Sequence, residues 1–413
     1  MMAELRGVRN AGPAVATAVR SPSASVVSSR ARLESIDVVR GVIMIIMALD
    51  HTRDFFGIPG QSPTDLANAT AALFLTRWIT YFCAPVFFLL TGTGAYLSLR
   101  RKTPRELSWF LLTRGLWLIF LEVVLLRCLA YQFNADYRVT MLLVLWALGW
   151  AMITLAALVR LRLPASVVTA FGVLLIAGHN LFDTVRSANP LWSILHAPGF
   201  VLNTPEHVVF AAYPLIPWIG VTAVGYGLGQ VYKWDTDRRR AFLLRLGLAL
   251  TLAFLVIRGL NVYGDPARWM RQKTAAFTVL SFLNTTKYPP SLLFLLMTIG
   301  PALVFLGLVD RRTPRILQPA LIIGKVPLFY YMLHFALIHL LAVITCYLRY
   351  GSAHWMFESP DLANYPFTAP PGWGFSLPVI YLIWAFVVIA MYPLCRWFAA
   401  LKQRRSDAWL SYL

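Results

Sequence analysis

Apolar runs of membrane-spanning length recur along the whole chain, and this repetition constrains the fold more than any other feature. They occupy Ile36–Phe56, Thr80–Leu99, Leu107–Leu126, Val139–Leu158, Ala165–Leu181, Val208–Gln230, Ala241–Ile257, Ser291–Val309, Leu321–Leu341 and Leu377–Trp397. A bilayer's hydrocarbon core is about 30 Å thick and takes about 20 apolar residues of helix to cross. Lipid offers no hydrogen bonds, so a spanning backbone has to be helical or close into a barrel. Barrel strands alternate apolar and polar residues over about 10 positions, and runs such as LLFLLMTIGPALVFLGLV do not alternate. The expected fold is all-α, a polytopic membrane protein of about ten transmembrane helices. Charged residues make up only 13% of the chain, against about 25% in a soluble domain.

The basic residues fix an expected orientation, because cytoplasmic loops collect Lys and Arg. Before the first span lie Arg6, Arg9, Arg20, Arg30 and Arg32, and every second loop after it is basic: RRKTPRE from Arg100, RLR from Arg160, KWDTDRRR from Lys233 and DRRTPR from Asp310. The C-terminal end adds Lys402, Arg404 and Arg405, while the loop Val262–Lys287 is the one basic exception on the other side. Both termini are therefore expected in the cytoplasm. The net charge of +19 is spread over short loops instead of being gathered on one element, which points to anionic lipid and away from nucleic acid. Three segments are expected: a disordered cytoplasmic tail over 1–34, a membrane domain over 35–400 and a short tail over 401–413. Cys83, Cys128, Cys346 and Cys395 have no paired spacing and read as buried thiols, with no metal site or disulfide.

Polar residues inside spans are costly and mark sites. The first span, SIDVVRGVIMIIMALDHTRDFFG, holds Asp37, Arg40, Asp50, His51, Arg53 and Asp54. Arg40 and His51 are eleven residues apart, which on a helix puts them within about 20° in direction and roughly 16 Å apart in height. Met44 and Met47 lie between them on that face. His51 and Asp54 are an i,i+3 pair that can touch, whereas Asp50 and His51 point apart. Asp54 is thus the better orienting group, with Asp50 pairing with Arg53 or another helix. Such a stripe suits a long ligand with a phosphate head and a reactive tip. An acyl-CoA would set its phosphates on Arg40 and its thioester near His51, which could act as general base or acyl carrier. A proton relay through Asp50, His51 and Asp54 in a transporter would use the same residues.

Further segments matter together: PVFFLLTGTGAYLSLRR from Pro85, YPLIPWIGV from Tyr213, NTTKYPPSLLFLLMTIGPAL from Asn284, GKVPLFYYMLHFALIHLLA from Gly324 and PPGWGFSLPVIYLIW from Pro370. With RLESIDVVRGVIMIIMALDHTRDFF from Arg32, they resemble the heparan-α-glucosaminide N-acetyltransferase-like catalytic domain, in its bacterial branch. The resemblance implies acetyl-CoA or another acyl-CoA as co-substrate, with no permanently bound cofactor. It also implies an amine or hydroxyl acceptor, a small molecule or glycan, reached from the outer face of a bacterial inner membrane. Onto this chain it carries Arg40 and His51, and Asp50 beside them. Where the lysosomal enzyme has Asn-Tyr this chain has Asp50-His51, which leaves His51 open between base and donor-site residue. A homo-oligomer also stays open.

Other spans supply further candidates. Lys325, at a span's cytoplasmic start, either joins Arg40 on the phosphates or snorkels to the lipid interface, and Lys287, which opens KYPPS on the outer side, either contacts an acceptor or marks the interface. His334 shares a face with Tyr330, while His339 lies about 140° away from it. Arg114 and Glu122, about 80° apart, read as an interior ion-pair network. The loop Tyr350–Ser376, with His354, Trp355, Phe357, Glu358, Asp361, Tyr365, Phe367 and Trp373, suits a sugar or amine acceptor platform and equally an aromatic belt at the membrane interface.

Overall fold

The computed structural model describes residues 24–359, 362, 366–405 and 407–412. The expected tail therefore lies mostly outside the described residues, as do Asp361 and Tyr365. Among the described residues the helices are α1 (Ala24–Phe56), α2 (Ala71–Thr80), α3 (Cys83–Ser98), α4 (Pro104–Phe120), α5 (Val144–Arg160), α6 (Ala165–Gly178) and α7 (Pro190–Leu195). They continue with α8 (Leu215–Leu228), α9 (Thr236–Leu260), α10 (Ala275–Leu283), α11 (Leu292–Val309), α12 (Gln318–Gly324), α13 (Pro327–Tyr350) and α14 (Leu377–Arg404). Seven helical stretches among the described residues are long and apolar enough to cross a membrane: Ala71–Ser98, Pro104–Tyr131, Ala165–Phe182, Thr236–Leu260, Leu292–Val309, Pro327–Tyr350 and Leu377–Arg404. Large apolar side chains stay exposed on α9 (Leu248, Leu252, Leu255) and α14 (Leu382, Phe386, Ile389). Such surfaces suit lipid and not water.

Two expected spans begin as strands. Val139–Leu142 is β1 and Val208–Ala211 is β3; they pair in parallel, with Val139 opposite Val208, and β2 (Gly199–Asn203) runs antiparallel to β3. A short apolar, β-branched run reads equally as buried strand or helix, and here each strand leads directly towards the N-terminus of its helix, α5 or α8.

Proline sets two further breaks. Pro85, in the first turn of α3, has no N–H for the helix behind it, and the chain bends at Tyr81–Phe82 between α2 and α3. Val326 precedes Pro327, a position that disfavours helical backbone; its φ is −134° and the expected span Leu321–Leu341 divides into α12 and α13. Polar caps start other helices. Thr103 and Glu106 form a reciprocal capping box on α4, and Asp235 and Ser291 cap α9 and α11.

α1 is the hub, packed against α2, α3, α11, α12, α13 and α14. Near its N-terminal end Ser35 donates to the Asp310 carboxylate (2.9 Å), which also pairs with Arg239 at 2.7 Å, the acid and the Arg both fully buried. Trp384 of α14 donates to the Ile45 carbonyl at 2.8 Å. Against α12 the backbones meet through glycine: a Cβ on Gly41 would run into the Ala320 carbonyl, and one on Gly324 into the Asp37 carbonyl. Small residues permit this close approach between membrane helices, and it sets Lys325 beside α1. Gly324→Val is expected to cost about 1–3 kcal/mol through overpacking and to lower the unfolding temperature in detergent. Gly259→Ala, whose added Cβ meets nothing, is the control and should not lower it. Equal unfolding temperatures for Gly324→Val and the wild-type protein would refute the tight α1–α12 contact.

Candidate functional site

Arg40, Met44, Met47 and His51 line one cavity of about 270 Å3, as the helical spacing predicts. The opposite walls come from α3 (Cys83, Ala84, Phe87), α4 (Arg114, Leu118), α5 (Leu145, Leu148, Met152) and α13 (Leu328, Tyr331). At the Arg40 end stand Arg114, Lys325 and Lys402. Arg40 itself reaches Asp37 at 3.2 Å and the Leu90 carbonyl at 3.4 Å. These four cations outnumber the neighbouring acids, Asp37 and Glu34, and make that mouth positive. Lys325 comes there because the helix breaks at Val326, and Lys402 because the last turns of α14 end beside it.

The other end holds Asp50, His51, Lys287 and Tyr213. The Asp50 carboxylate takes Arg77 Nη1 at 2.7 Å, Arg53 Nη2 at 2.7 Å and Thr80 Oγ1 at 2.9 Å, with Lys287 Nζ at 4.0 Å. Its oxygens are thus occupied by cations from α1, α2 and the loop before α11. Arg53 also binds Asp54 at 2.7 Å, and Asp54 Oδ2 lies 3.7 Å from His51 Nδ1. The His51 ring packs on Phe335 (centroids 3.9 Å apart) and stands 5.5 Å from the ring of His334. His334 is fully buried, its Nδ1 is 2.9 Å from the Tyr330 carbonyl, and its Nε2 has no hydrogen-bond partner among the described residues. A ring that donates through Nδ1 keeps a lone pair at Nε2, and α13 holds that group next to His51.

Arg114 and Glu122 do not form the expected ion pair. The chain from Leu121 to Tyr131 winds as a π-helix, and Glu122 accepts from the backbone N–H groups of Leu143, Leu145 and Trp146 at 3.1, 3.2 and 2.7 Å. That carboxylate caps the start of α5, while Arg114, eight residues back on a different face, lines the cavity. His339 sits away from His334, as predicted, held between the Ala130 and Met356 carbonyls. The four cysteines are free thiols; Cys83 borders the cavity.

In the loop Tyr350–Ser376, Trp373 donates to the Phe55 carbonyl at 3.0 Å and Phe367 packs on Phe55. These two aromatics, with Arg53 and Asp54, line a second cavity of about 350 Å3. His354 stays exposed and faces Glu358 at 3.7 Å. A third cavity, of about 420 Å3, joins Arg53, Arg77, Lys287 and Tyr288. Arg77, Arg114 and Lys402 are the site residues that sequence reasoning missed or misassigned. The one local signal for Arg77 was a lone cation in the apolar run FLTRWIT.

Fold and site together define a helical membrane protein with charged residues gathered around an internal cavity. The chain belongs to the family of the heparan-α-glucosaminide N-acetyltransferase catalytic domain, whose family model matches residues 32–264. That family implies a membrane acetyltransferase and does not favour the transporter alternative. No curated protein matches the chain.

Asp50→Ala would leave buried cations uncompensated, and is expected to destabilise by about 3–5 kcal/mol. Asp54→Ala, at a half-exposed side chain, should stay within about 1 kcal/mol. Thermal unfolding of the two variants in detergent separates them; equal shifts would contradict the anchoring role of Asp50.

Proposed function

We propose that this protein moves an acyl group, most simply acetyl, from cytosolic acyl-CoA to an amine or hydroxyl acceptor, a sugar in the first instance, presented from the outer face. The observation that carries this reading is the single cavity that begins among Arg40, Arg114, Lys325 and Lys402 and ends at His51. Four cations suit the phosphates of CoA, and Met44, Met47, Leu148 and Met152 suit its uncharged arm. The reading takes the chain as ten spans with both termini inside, in a bacterial inner membrane. To the seven long apolar stretches it adds α1, whose charges belong to the site, together with α5 and α8, which reach the bilayer's far side through β1 and β3. Under this topology the four cations lie at the cytosolic mouth.

His51 is assigned the proton transfer. As the acceptor nitrogen or oxygen attacks the thioester carbonyl, His51 takes its proton; the new C–N or C–O bond forms, the C–S bond breaks, and the departing CoA thiolate recovers a proton from the imidazolium. Asp54 orients His51 and balances its transient charge, and His334 supports the same pocket. Asp50 holds Arg53, Arg77 and Lys287 in place, and the third cavity, with Lys287 on its rim, is the acceptor's route in.

Purified protein is expected to bind acetyl-CoA saturably in calorimetry, and Arg40→Ala to weaken that binding about tenfold, or about 1.4 kcal/mol. Failure to bind any short acyl-CoA would return the weight to a proton-coupled transporter. His51→Ala should keep donor affinity and lose about 10²–10⁴ in acyl transfer in proteoliposomes; transfer at the wild-type rate would end its assignment.

A further inference from the structure

Away from that cavity, two buried histidines face each other; among the described residues their ring nitrogens make no well-formed hydrogen bond, and only the Pro290 carbonyl approaches His179. His179 follows α6 and His196 follows α7; they are 3% and 2% exposed, and their ring centroids lie 5.7 Å apart. Buried polar atoms in native proteins are nearly always satisfied, so two neighbouring buried rings, with both His196 nitrogens left over, call for a ligand. Asp183, one turn beyond His179, completes the group. One nitrogen from each ring and one oxygen of this carboxylate all lie within 4.8 Å of one another.

The surroundings resemble the support that metal ligands need. Asn180 donates to Asp183 Oδ2 at 2.8 Å and accepts the Leu292 N–H at 2.8 Å, fixing the carboxylate against the first turn of α11. Trp192 and Phe182 cover His196, with ring centroids 4.7 and 6.1 Å away. Asp183 is only half-buried and leaves a path for an ion.

We propose that His179, Asp183 and His196 bind one Zn2+, with water as the fourth ligand. Two imidazoles and a carboxylate suit zinc, whereas Mg2+ and Ca2+ prefer all-oxygen sets and Cu+ prefers sulfur. A tetrahedral site with bonds of about 2.0 Å brings its ligand atoms to roughly 3.3 Å from each other, so modest side-chain rotations close this one. The ion would tie the end of α6 to the segment leading into β2 and, through Asn180, to the head of α11. It lies outside the cavity assigned to the donor.

The test uses the full chain in detergent, purified through a histidine-free tag. Metal content is read by mass spectrometry after chelation, re-addition of Zn2+ and gel filtration. The expected result is one zinc per chain in the wild type, loss of that zinc in His196→Asn, and binding weakened about 10–100-fold in Asn180→Ala. Chelator should lower the unfolding temperature of the wild type and leave that of His196→Asn unmoved. Titration of the wild type with Co2+ gives a reading independent of any variant's folding, since a tetrahedral site produces visible absorption. Absence of both zinc and the cobalt spectrum, or one zinc per chain persisting in His196→Asn, overturns the proposal.

Discussion

The buried carboxylate of Asp50 is the interaction on which the rest of the arrangement depends. A charge inside a membrane protein is tolerated when partners surround it, and Asp50 gathers Arg53 from its own helix, Arg77 and Thr80 from α2 and Lys287 from the loop before α11. Together these contacts hold α1 in its rotation. Because neighbouring residues on a helix point about 100° apart, fixing Asp50 towards α2 turns His51 towards α13. The bend at Tyr81–Phe82 belongs to the same device. It ends α2 close to Arg77 and Thr80, and both reach one carboxylate from that last turn.

With α1 fixed in rotation, the stripe from Arg40 to His51 faces the interior, and the neighbouring helices only have to bring walls to it. Gly41 and Gly324 let α12 close on α1, and the break before Pro327 leaves Lys325 at a helix end beside Arg40. Glu122 performs a similar service at the opposite wall. By capping α5 it seats Leu145, Leu148 and Met152 against the cavity. Each of these is a polar or conformational exception in an apolar chain, and each has a positional consequence.

Much of this was legible in the sequence, and the boundary of legibility follows the range of the interactions. The Arg40–Met44–Met47–His51 face, the His51–Asp54 pair and the separation of His334 from His339 follow from helical geometry within one element. The break at Lys325–Val326 was written in the KVP triplet but went unread there, because the flanking run is apolar throughout. Arg77, Arg114 and Lys402 enter the site through contacts between elements far apart in sequence; the lone cation in FLTRWIT marks Arg77 as unusual, but nothing local names the partner of any of the three. Arg114 was paired with Glu122 because both fall in one apolar span, eight residues apart. The strands β1 and β3 were absorbed into apolar spans for a different reason: over four residues, strand and helix share one pattern.

The charge distribution along the cavity also bears on what can pass through it. A relay that carries protons needs a chain of hydrogen-bonding groups between its ends. Between Arg40 and His51 the lining is dominated by Met44, Met47, Ala84, Phe87, Leu118, Leu148 and Met152, side chains that bind neither protons nor ions. The same lining accepts a long uncharged arm whose polar groups are few. Charged groups are held at the two ends, in excess positive at the Arg40 end and closely balanced by Asp50 and Asp54 at the His51 end. A ligand with a polyanionic head and a neutral tail would gain at the first end, lose little along the middle and arrive with its tip beside an imidazole. A small cation would be repelled at the mouth, and the carboxylate it would meet beyond it, Asp50, is already taken by Arg53 and Arg77. On electrostatics alone, therefore, the cavity suits a donor that reaches in from one side and does not suit an ion that crosses from side to side.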